Sequence, residues 1–494
     1  MNKDEALKVL KEIDHKVVTL SHISAALEWD LETVMPPKAE EERGEQLALL
    51  SALIHKEKVN PKLSEAIDVL DEESLDIEDK ALVRVWKKEM ATSIKLPSSF
   101  VERLALATNR AHSAWAEARA KSDFSIFSEP LSEIVSLQRE MASIIGDGSY
   151  NALLDLYLDK LGEKELDSIF DELESSIHYI MDKTDSNIDD SFLYEKYDES
   201  ALHRFSVDLI DRVGFDQTRA TVGLTLHPFT TTLGSDDVRI STRYSDASLA
   251  DPIFSIIHEM GHAFYELYSA QNPKIRGTSL SGGLYMDLHE SQSRLFENLI
   301  GRNRSFWVYF YPKLQEALPN LRKVTLDEYV KAINKSQSSA IRVNADELTY
   351  SLHVILRYRI EKLLINGKIE VKDLPELWRT LSSSIIRYDI KNDSEGVLQD
   401  SHWAGGSFGY FPSYAIGNIY SVMIFGKMKA ALGGDEAFSS LLERGEFDSI
   451  INYLDQNIWR NGSVYRPSEL LESLTGSKID VKPYKEYLLN KFVN

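Results

Sequence analysis

Within Ser255–Glu266, "SIIHEMGHAFYE", two histidines stand four residues apart, and a glutamate directly follows the first. On a helix, His258 and His262 fall one turn apart on the same face, and their imidazole nitrogens can converge on one ion at about 2 Å. Glu259, offset by one position, lies beside such an ion rather than on it, where it can take a proton from a water that the ion activates. The chemistry so assembled is metal-assisted hydrolysis. Two ligands do not complete a site. Glu266 repeats the four-residue step after His262, yet at about 1.5 Å rise per residue it stands some 12 Å along the axis from His258. It cannot share the ion on a straight helix and reads as a flank residue. Downstream, "PKIRGTSLSGGLYMDLHESQSRLFENLI" supplies a Gly-rich loop and a new helix, with Asp287, His289 and Glu290 near its start. Asp287 and Glu290 are three apart and share a face, so one can ligate while the other orients a histidine; spacing alone leaves the choice open.

These side chains need rigid elements beneath them. In "LADPIFSIIHEMGHAFYELYSA", Asp251 offers an N-cap, Pro252 suits the first helical position, and Phe254, Ile257 and Phe264 form an apolar face. Helical periodicity dominates elsewhere too. Ala6, Leu10, Ile13 and Val17 recur at three- and four-residue steps, and so do Leu166, Phe170, Leu173 and Ile177. Further helices are predicted over "LDEYVKAINKSQSSAIRV" and "SLHVILRYRIEKLLING". "RATVGLTLHPFTTTLGSDDVRISTRYS" is instead rich in Thr and Val, broken by "LGSDD", and predicts a short hairpin or small sheet just before the histidine helix. The expected fold is mostly α, a single unit over residues 1–494 with two lobes around a cleft and no clear linker.

Composition narrows the chemistry. A formal charge of −22 argues against a nucleic-acid partner, because phosphate neutralisation needs a surplus of Lys and Arg. Cysteine is absent, which removes thiolate nucleophiles and sulfur-ligated zinc. The charged start, "MNKDEALKVLKEIDHK", does not resemble a signal peptide, and no apolar run reaches the roughly 18 residues of a membrane span. Cytoplasmic residence without membrane attachment is the expectation.

Motifs through the second half resemble those of the carboxypeptidase Taq family of metallocarboxypeptidases: "HPF" at His227–Phe229, "DVRIS" at Asp237–Ser241, "HEMGH" at His258–His262, "HESQ" at His289–Gln292, "IRVNAD" at Ile341–Asp346 and "GVLQDSHW" at Gly396–Trp403. The N-terminal "LEWDLETVMPP" is similar to the family's opening segment. Ser241 stands where the family usually has threonine; a hydroxyl is retained and little consequence is expected. The resemblance implies Glu290 as third ligand and a helical fold related to angiotensin-converting enzyme and the thimet-type oligopeptidases, with a deep groove between two lobes and a small sheet near the metal. It further implies one zinc ion per chain, or cobalt in its place, a homodimer, and broad-specificity release of single residues from peptide C-termini.

Peptide hydrolysis also needs donors for the developing oxyanion. "SHWAGGSFGYFPSYAIG" carries His402, Tyr410 and Tyr414 in a Gly-rich stretch, and similar His/Tyr arrangements in the related peptidases suggest His402 and Tyr410 as the oxyanion pair. Recognition of a free C-terminus calls for an arginine, whose planar fork matches a carboxylate. Arg342 of "IRVNAD" is the first choice, and Arg239 either contacts substrate or pairs with Asp237. His227 either contacts substrate or braces the histidine helix. Two rival readings stand beside the carboxypeptidase: an oligopeptidase or aminopeptidase on the same metal site, and a helical scaffold without working metal.

Overall fold

The computed structural model describes residues 1–70, 72–184, 187–225, 227–244 and 248–493. The chain is mostly helical, with one small sheet. It divides into two compact units, each assembled from three segments. Met1–Ser93, Ile188–Ile333 and Ser421–Lys478 make the first; Ile94–Asn187, Asn334–Tyr420 and Ile479–Asn494 make the second. Among the described residues, no helix is long and apolar enough to cross a membrane.

The first unit opens with helix α1 (Lys3–Thr33), started by a capping box in which the side chains of Asn2 and Glu5 accept from each other's backbone N–H. Its stripe of Ala6, Leu10, Ile13 and Val17 is buried in a cluster with Leu63, Leu82 and Trp86, as the periodicity predicts. Near the end of α1, Trp29 lies against Phe229, with ring centroids 5.5 Å apart. It also covers Gly223, where an added Cβ would come 2.5 Å from the indole. α1 thereby backs a three-stranded sheet: β1 (Ala220–Leu224), β2 (Thr230–Gly234) and β3 (Asp237–Thr242).

The predicted hairpin is β2–β3, antiparallel, and β1 adds to the other edge of β3 in parallel. Leu226 and Ser245, inside the predicted strand region, lie outside the described residues. Val238 and Ile240 on central β3 are fully buried, and β3 packs on the next helix, α2 (Ala250–Ser269). Ser241 justifies its hydroxyl: buried, its Oγ stands 2.7 Å from Thr225 Oγ1 and accepts from the Phe229 N–H at 3.0 Å, tying β3 to the residues between β1 and β2.

α2 starts two residues earlier than Pro252 predicts. Leu249 occupies the cap position, and Asp251 lies inside the first turn instead of capping it. The Ala250 N–H donates to Ser248 Oγ, 3.2 Å away. Pro252 is tolerated because the first four N–H groups of any helix lack an intrahelical acceptor. Helix α3 (Met286–Arg294) crosses α2 at Gly261, where an added Cβ would meet Ser293 Cα at 2.6 Å and Gln292 O at 2.7 Å. α3 then continues as a π-helical stretch over Leu295–Gly301, a local widening common at functional sites.

In the second unit, helix α4 (Tyr350–Ile365) is buried nearly all round. The helix predicted over residues 326–343 ends at Ile333, and residues 342–344 form a separate 3₁₀ turn. Its Ser- and Asn-rich second half satisfies itself otherwise: Ser336 Oγ and the Gln337 N–H donate to Asp346, and Ser338 Oγ donates to the Ile386 carbonyl. Helix α5 (Pro412–Ala431) follows the Gly-rich stretch and starts in this unit.

Candidate active site

α2 and α3 together bring His258, His262 and Glu290 to one point, with one ligand atom from each lying within 4.8 Å of the others. Glu290 Oε2 stands 3.3 Å from His262 Nε2 and 3.7 Å from His258 Nε2. Donors held about 2.0–2.1 Å from one ion at tetrahedral angles are themselves about 3.3 Å apart, so the three fit a single divalent metal. Of the three acids and histidines left open on α3 by spacing alone, Glu290 is the one in this cluster. Asp287 is buried and accepts from the Leu288 N–H.

The remaining ring nitrogens fix which lone pairs face the cluster. His258 Nδ1 lies 2.9 Å from Glu297 Oε2, and a carboxylate there requires an Nδ1–H. His289 Nε2 lies 2.8 Å from Glu266 Oε1, which makes Nε2–H the donor and leaves Nδ1 as acceptor for the adjoining His262 Nδ1–H. In the neutral rings both Nε2 atoms facing the cluster are free of protons, as ligands must be. Against the effect of burial, Glu290 and Glu297 raise His258 above its ordinary value, so that ring gives up a proton when it ligates. Burial, with His289 beside it, pushes His262 down to about 3, so that ring stays neutral. Burial alone would raise Glu290, but Arg294 and His258 hold it well below the usual carboxylate range. Arg294 Nε donates to Glu290 Oε1 at 2.6 Å, leaving Oε2 for the cluster.

Glu266 is thus no idle flank residue. Half-buried, it also accepts from Thr232 Oγ1 at 3.0 Å and from the Gly283 N–H at 3.0 Å. The loop folds back onto it only because Gly282 and Gly283 lack side chains. Gly282 has φ +103°, and a Cβ at Gly283 would come 2.0 Å from the His289 ring. Glu259 is buried beside the cluster, its Oε2 accepting from Thr230 Oγ1 at 2.5 Å. β2 therefore holds two carboxylates of α2 through hydroxyls on one strand face, Thr230 and Thr232.

The other predicted residues make contacts of their own. Arg239 makes a two-pronged pair with Asp237, both contacts at 2.9 Å, and stands 5.8 Å from the Trp29 ring centroid. His227 is exposed, between β1 and β2; its backbone carbonyl accepts from Thr225 Oγ1. In the second unit, buried Arg342 donates to Asp400 Oδ1 through Nε at 3.0 Å and Nη2 at 2.9 Å, and to Tyr350 through Nη1 at 2.9 Å. Asp400 is shared with Arg357, whose Nε donates to Oδ2 at 2.7 Å. A guanidinium has five N–H groups, so one on each of Nη1 and Nη2 is left for a further acceptor. His402 Nε2 lies 3.3 Å from the Tyr414 hydroxyl, and its ring packs 5.7 Å from that of Tyr410.

The family model described as carboxypeptidase Taq (M32) metallopeptidase matches residues 9–492. The chain belongs to this family. It is 38% identical to carboxypeptidase 1 of Bacillus subtilis (strain 168), over 99% of this chain and 98% of that protein. Thermostable carboxypeptidase 1 of Thermus thermophilus is 34% identical, over 100% of this chain and 99% of its own length. The crystal structure of the M32 carboxypeptidase from Deinococcus radiodurans R1 superposes with a TM-score of 0.93 at 31% identity, covering 99% of both chains. The protein is accordingly a metallocarboxypeptidase, a hydrolase of peptides, and its His–His–Glu cluster is where a metallopeptidase of this family would hold its ion.

Sequence reading missed Glu297 and the link from Glu266 to His289. A signal for the first existed: Glu290, Arg294 and Glu297 step by four and three along one face. In this carboxypeptidase the state of His402 is also testable. Burial, ahead of the opposing pull of Asp400, pushes its ring down to about 4. A folded value below the unfolded one, about 6.5, means stability that is present above pH 6.5 and lost as pH falls through about 4. Denaturant unfolding should show wild type losing up to about 3 kcal/mol more than His402→Gln between those pH values. Equal losses would mean that the ring protonates normally in the fold.

Proposed function

We propose that the chain works as one peptidase domain over residues 1–494, releasing amino acids singly and with broad specificity from peptides that carry a free C-terminus. The convergence of His258, His262 and Glu290 on one point, with Glu259 beside them, carries the reading. Those three residues would hold one divalent ion, zinc in the first place and cobalt as a working substitute. Two imidazoles and a carboxylate, with no thiolate, are a donor set common to both metals. When bound, the ion supplies Lewis acidity, polarising the scissile carbonyl and easing deprotonation of water.

Glu259 takes the proton from the attacking water and returns it to the leaving amine. His402 and Tyr410 donate hydrogen bonds to the oxyanion as it forms. Neutral imidazole suits this, since it donates without needing to be charged, and burial keeps His402 neutral at ordinary pH. Arg342 takes the substrate carboxylate with its two remaining N–H groups, while Asp400 and Tyr350 keep the guanidinium plane fixed. Tyr414, Arg239 and His227 contact the peptide further along. Cytoplasmic residence and a homodimer complete the proposal.

The test compares one peptide in three forms: free, C-terminally amidated and N-acetylated. Amidation is expected to lower kcat/KM by about 100-fold or more, because a neutral amide forfeits the two-pronged charge-assisted contact. N-acetylation should change it little. Unchanged turnover after amidation would point to oligopeptidase action, and loss on acetylation to an aminopeptidase.

A further inference from the structure

His402 and Tyr410 stand at the two ends of one irregular stretch in the second unit. Much of its backbone bonding is internal: the Ser407 N–H donates to the His402 carbonyl at 2.9 Å, and the Gly406 N–H to the Trp403 carbonyl at 3.1 Å. Such a stretch does not place its ends by itself. Each end is instead tied to one side chain on α4, the fully buried Glu361. Trp403, next to His402, donates its indole Nε1–H to Glu361 Oε1 at 2.7 Å. Gly409, next to Tyr410, donates its backbone N–H to Oε2 at 2.9 Å. The Tyr150 hydroxyl donates to the same Oε2 at 2.6 Å. Gly409 has φ +92°, and an added Cβ there would come 2.8 Å from the Leu153 carbonyl carbon, so this end of the stretch is also pressed onto the chain at Leu153.

We propose that Glu361 is a positioning residue for peptide hydrolysis, a two-ended clamp that sets the places of His402 and Tyr410 through Trp403 and Gly409. The proposal rests on the reading of those two residues as oxyanion donors. A carboxyl group is required at this point. Both oxygens of Glu361 receive N–H donors, whereas a glutamine in its place offers one oxygen and one NH₂ group. The Tyr150 hydroxyl can rotate to accept, but an indole or backbone N–H cannot. Whichever way the amide turns, one end of the stretch faces a donor and is released. A tryptophan side chain and a glycine backbone are silent in a search for chemistry-bearing residues, which is why the clamp escapes sequence reading.

The test uses the metal-loaded enzyme and four variants: Glu361→Gln, Tyr150→Phe, Tyr410→Phe and the Glu361→Gln/Tyr410→Phe pair. Glu361→Gln is expected to lower kcat by about 10- to 100-fold, the cost of donors misplaced by about 1 Å, with KM and metal content unchanged. Tyr150→Phe removes a donor outside the stretch and should lower the thermal midpoint while kcat stays near wild type. The pair should be no slower than Tyr410→Phe alone by more than about twofold, because a clamp has nothing left to place once its donor is gone. Should Glu361→Gln fail to fold, Trp403→Phe keeps the carboxylate, drops only the Oε1 bond, and should show the same loss of kcat at constant KM. Wild-type kcat in Glu361→Gln, or in Trp403→Phe where it takes its place, overturns the clamp and leaves the donor reading standing. Parallel losses in Tyr150→Phe, or multiplying losses in the pair, overturn it in favour of a merely structural carboxylate. Wild-type kcat in Tyr410→Phe overturns the donor reading, and the clamp with it.

Discussion

Glu259→Gln is expected to lower kcat by about 10²- to 10⁴-fold, the range that a general base contributes. The variant is close to isosteric, and its side-chain oxygen still accepts from Thr230 Oγ1, the bond that holds the native carboxylate at 2.5 Å. Neither the fold nor the ligand set is disturbed, since His258, His262 and Glu290 keep their own partners on Glu297, His289 and Arg294. What is lost is proton acceptance. An amide cannot take the proton of the attacking water or hand it on to the leaving amine. Steady-state kinetics beside elemental analysis separates the two parts of the prediction: kcat falls, and metal content stays at that of wild type. A variant within about tenfold of wild type would remove Glu259 from the chemistry.

The second large effect concerns the substrate's carboxylate. Arg342→Gln is expected to raise KM for a peptide with a free C-terminus by about 100-fold, on the order of 3 kcal/mol, the typical loss when one partner of a buried charge pair is truncated. The same substitution should leave the already poor turnover of the amidated peptide nearly unchanged, because the contact is absent there from the start. This pairing of variant and substrate forms a thermodynamic cycle, and it isolates the arginine–carboxylate contact from general damage. Damage should be modest. Asp400 loses Arg342 but keeps Arg357, whose Nε lies 2.7 Å from Oδ2, so no buried charge is orphaned. Equal losses on both peptides would show that Arg342 serves the fold alone.

How much of this could be read from the chain depends on how local each feature is. The i, i+4 spacing of His258 and His262 is a property of one helix, and α2 realises it whatever lies around it. The proposed third ligand was less legible. Asp287 and Glu290 share a face of α3 with His289 beside them, and only the crossing at Gly261 decides which of the three joins His258 and His262. The partners beneath the ligands were illegible for the same reason carried further. Glu266 meets His289 because residues 277–283 fold back across two glycines, a long-range event with no periodic signature.

Starts and stops suffered from local competition. Asp251 and Pro252 looked like a cap and a first turn, yet Ser248 takes the Ala250 N–H and the helix opens earlier. The predicted helix over residues 326–343 fails where Ser336, Gln337 and Ser338 find partners outside it. The sheet was legible as strands but not as an order. Nothing in the residues from Arg219 to Thr242 says that β1 runs parallel to β3 while β2 runs against it.

A metal titration tests the His258–His262–Glu290 centre most directly. Enzyme stripped with a chelator is titrated with zinc while release of the C-terminal residue is followed. Activity should rise linearly and break at one ion per chain, and Glu290→Gln should need far higher zinc to reach its plateau. Activity that persists in the stripped enzyme, or a break that Glu290→Gln leaves in place, would contradict the assignment.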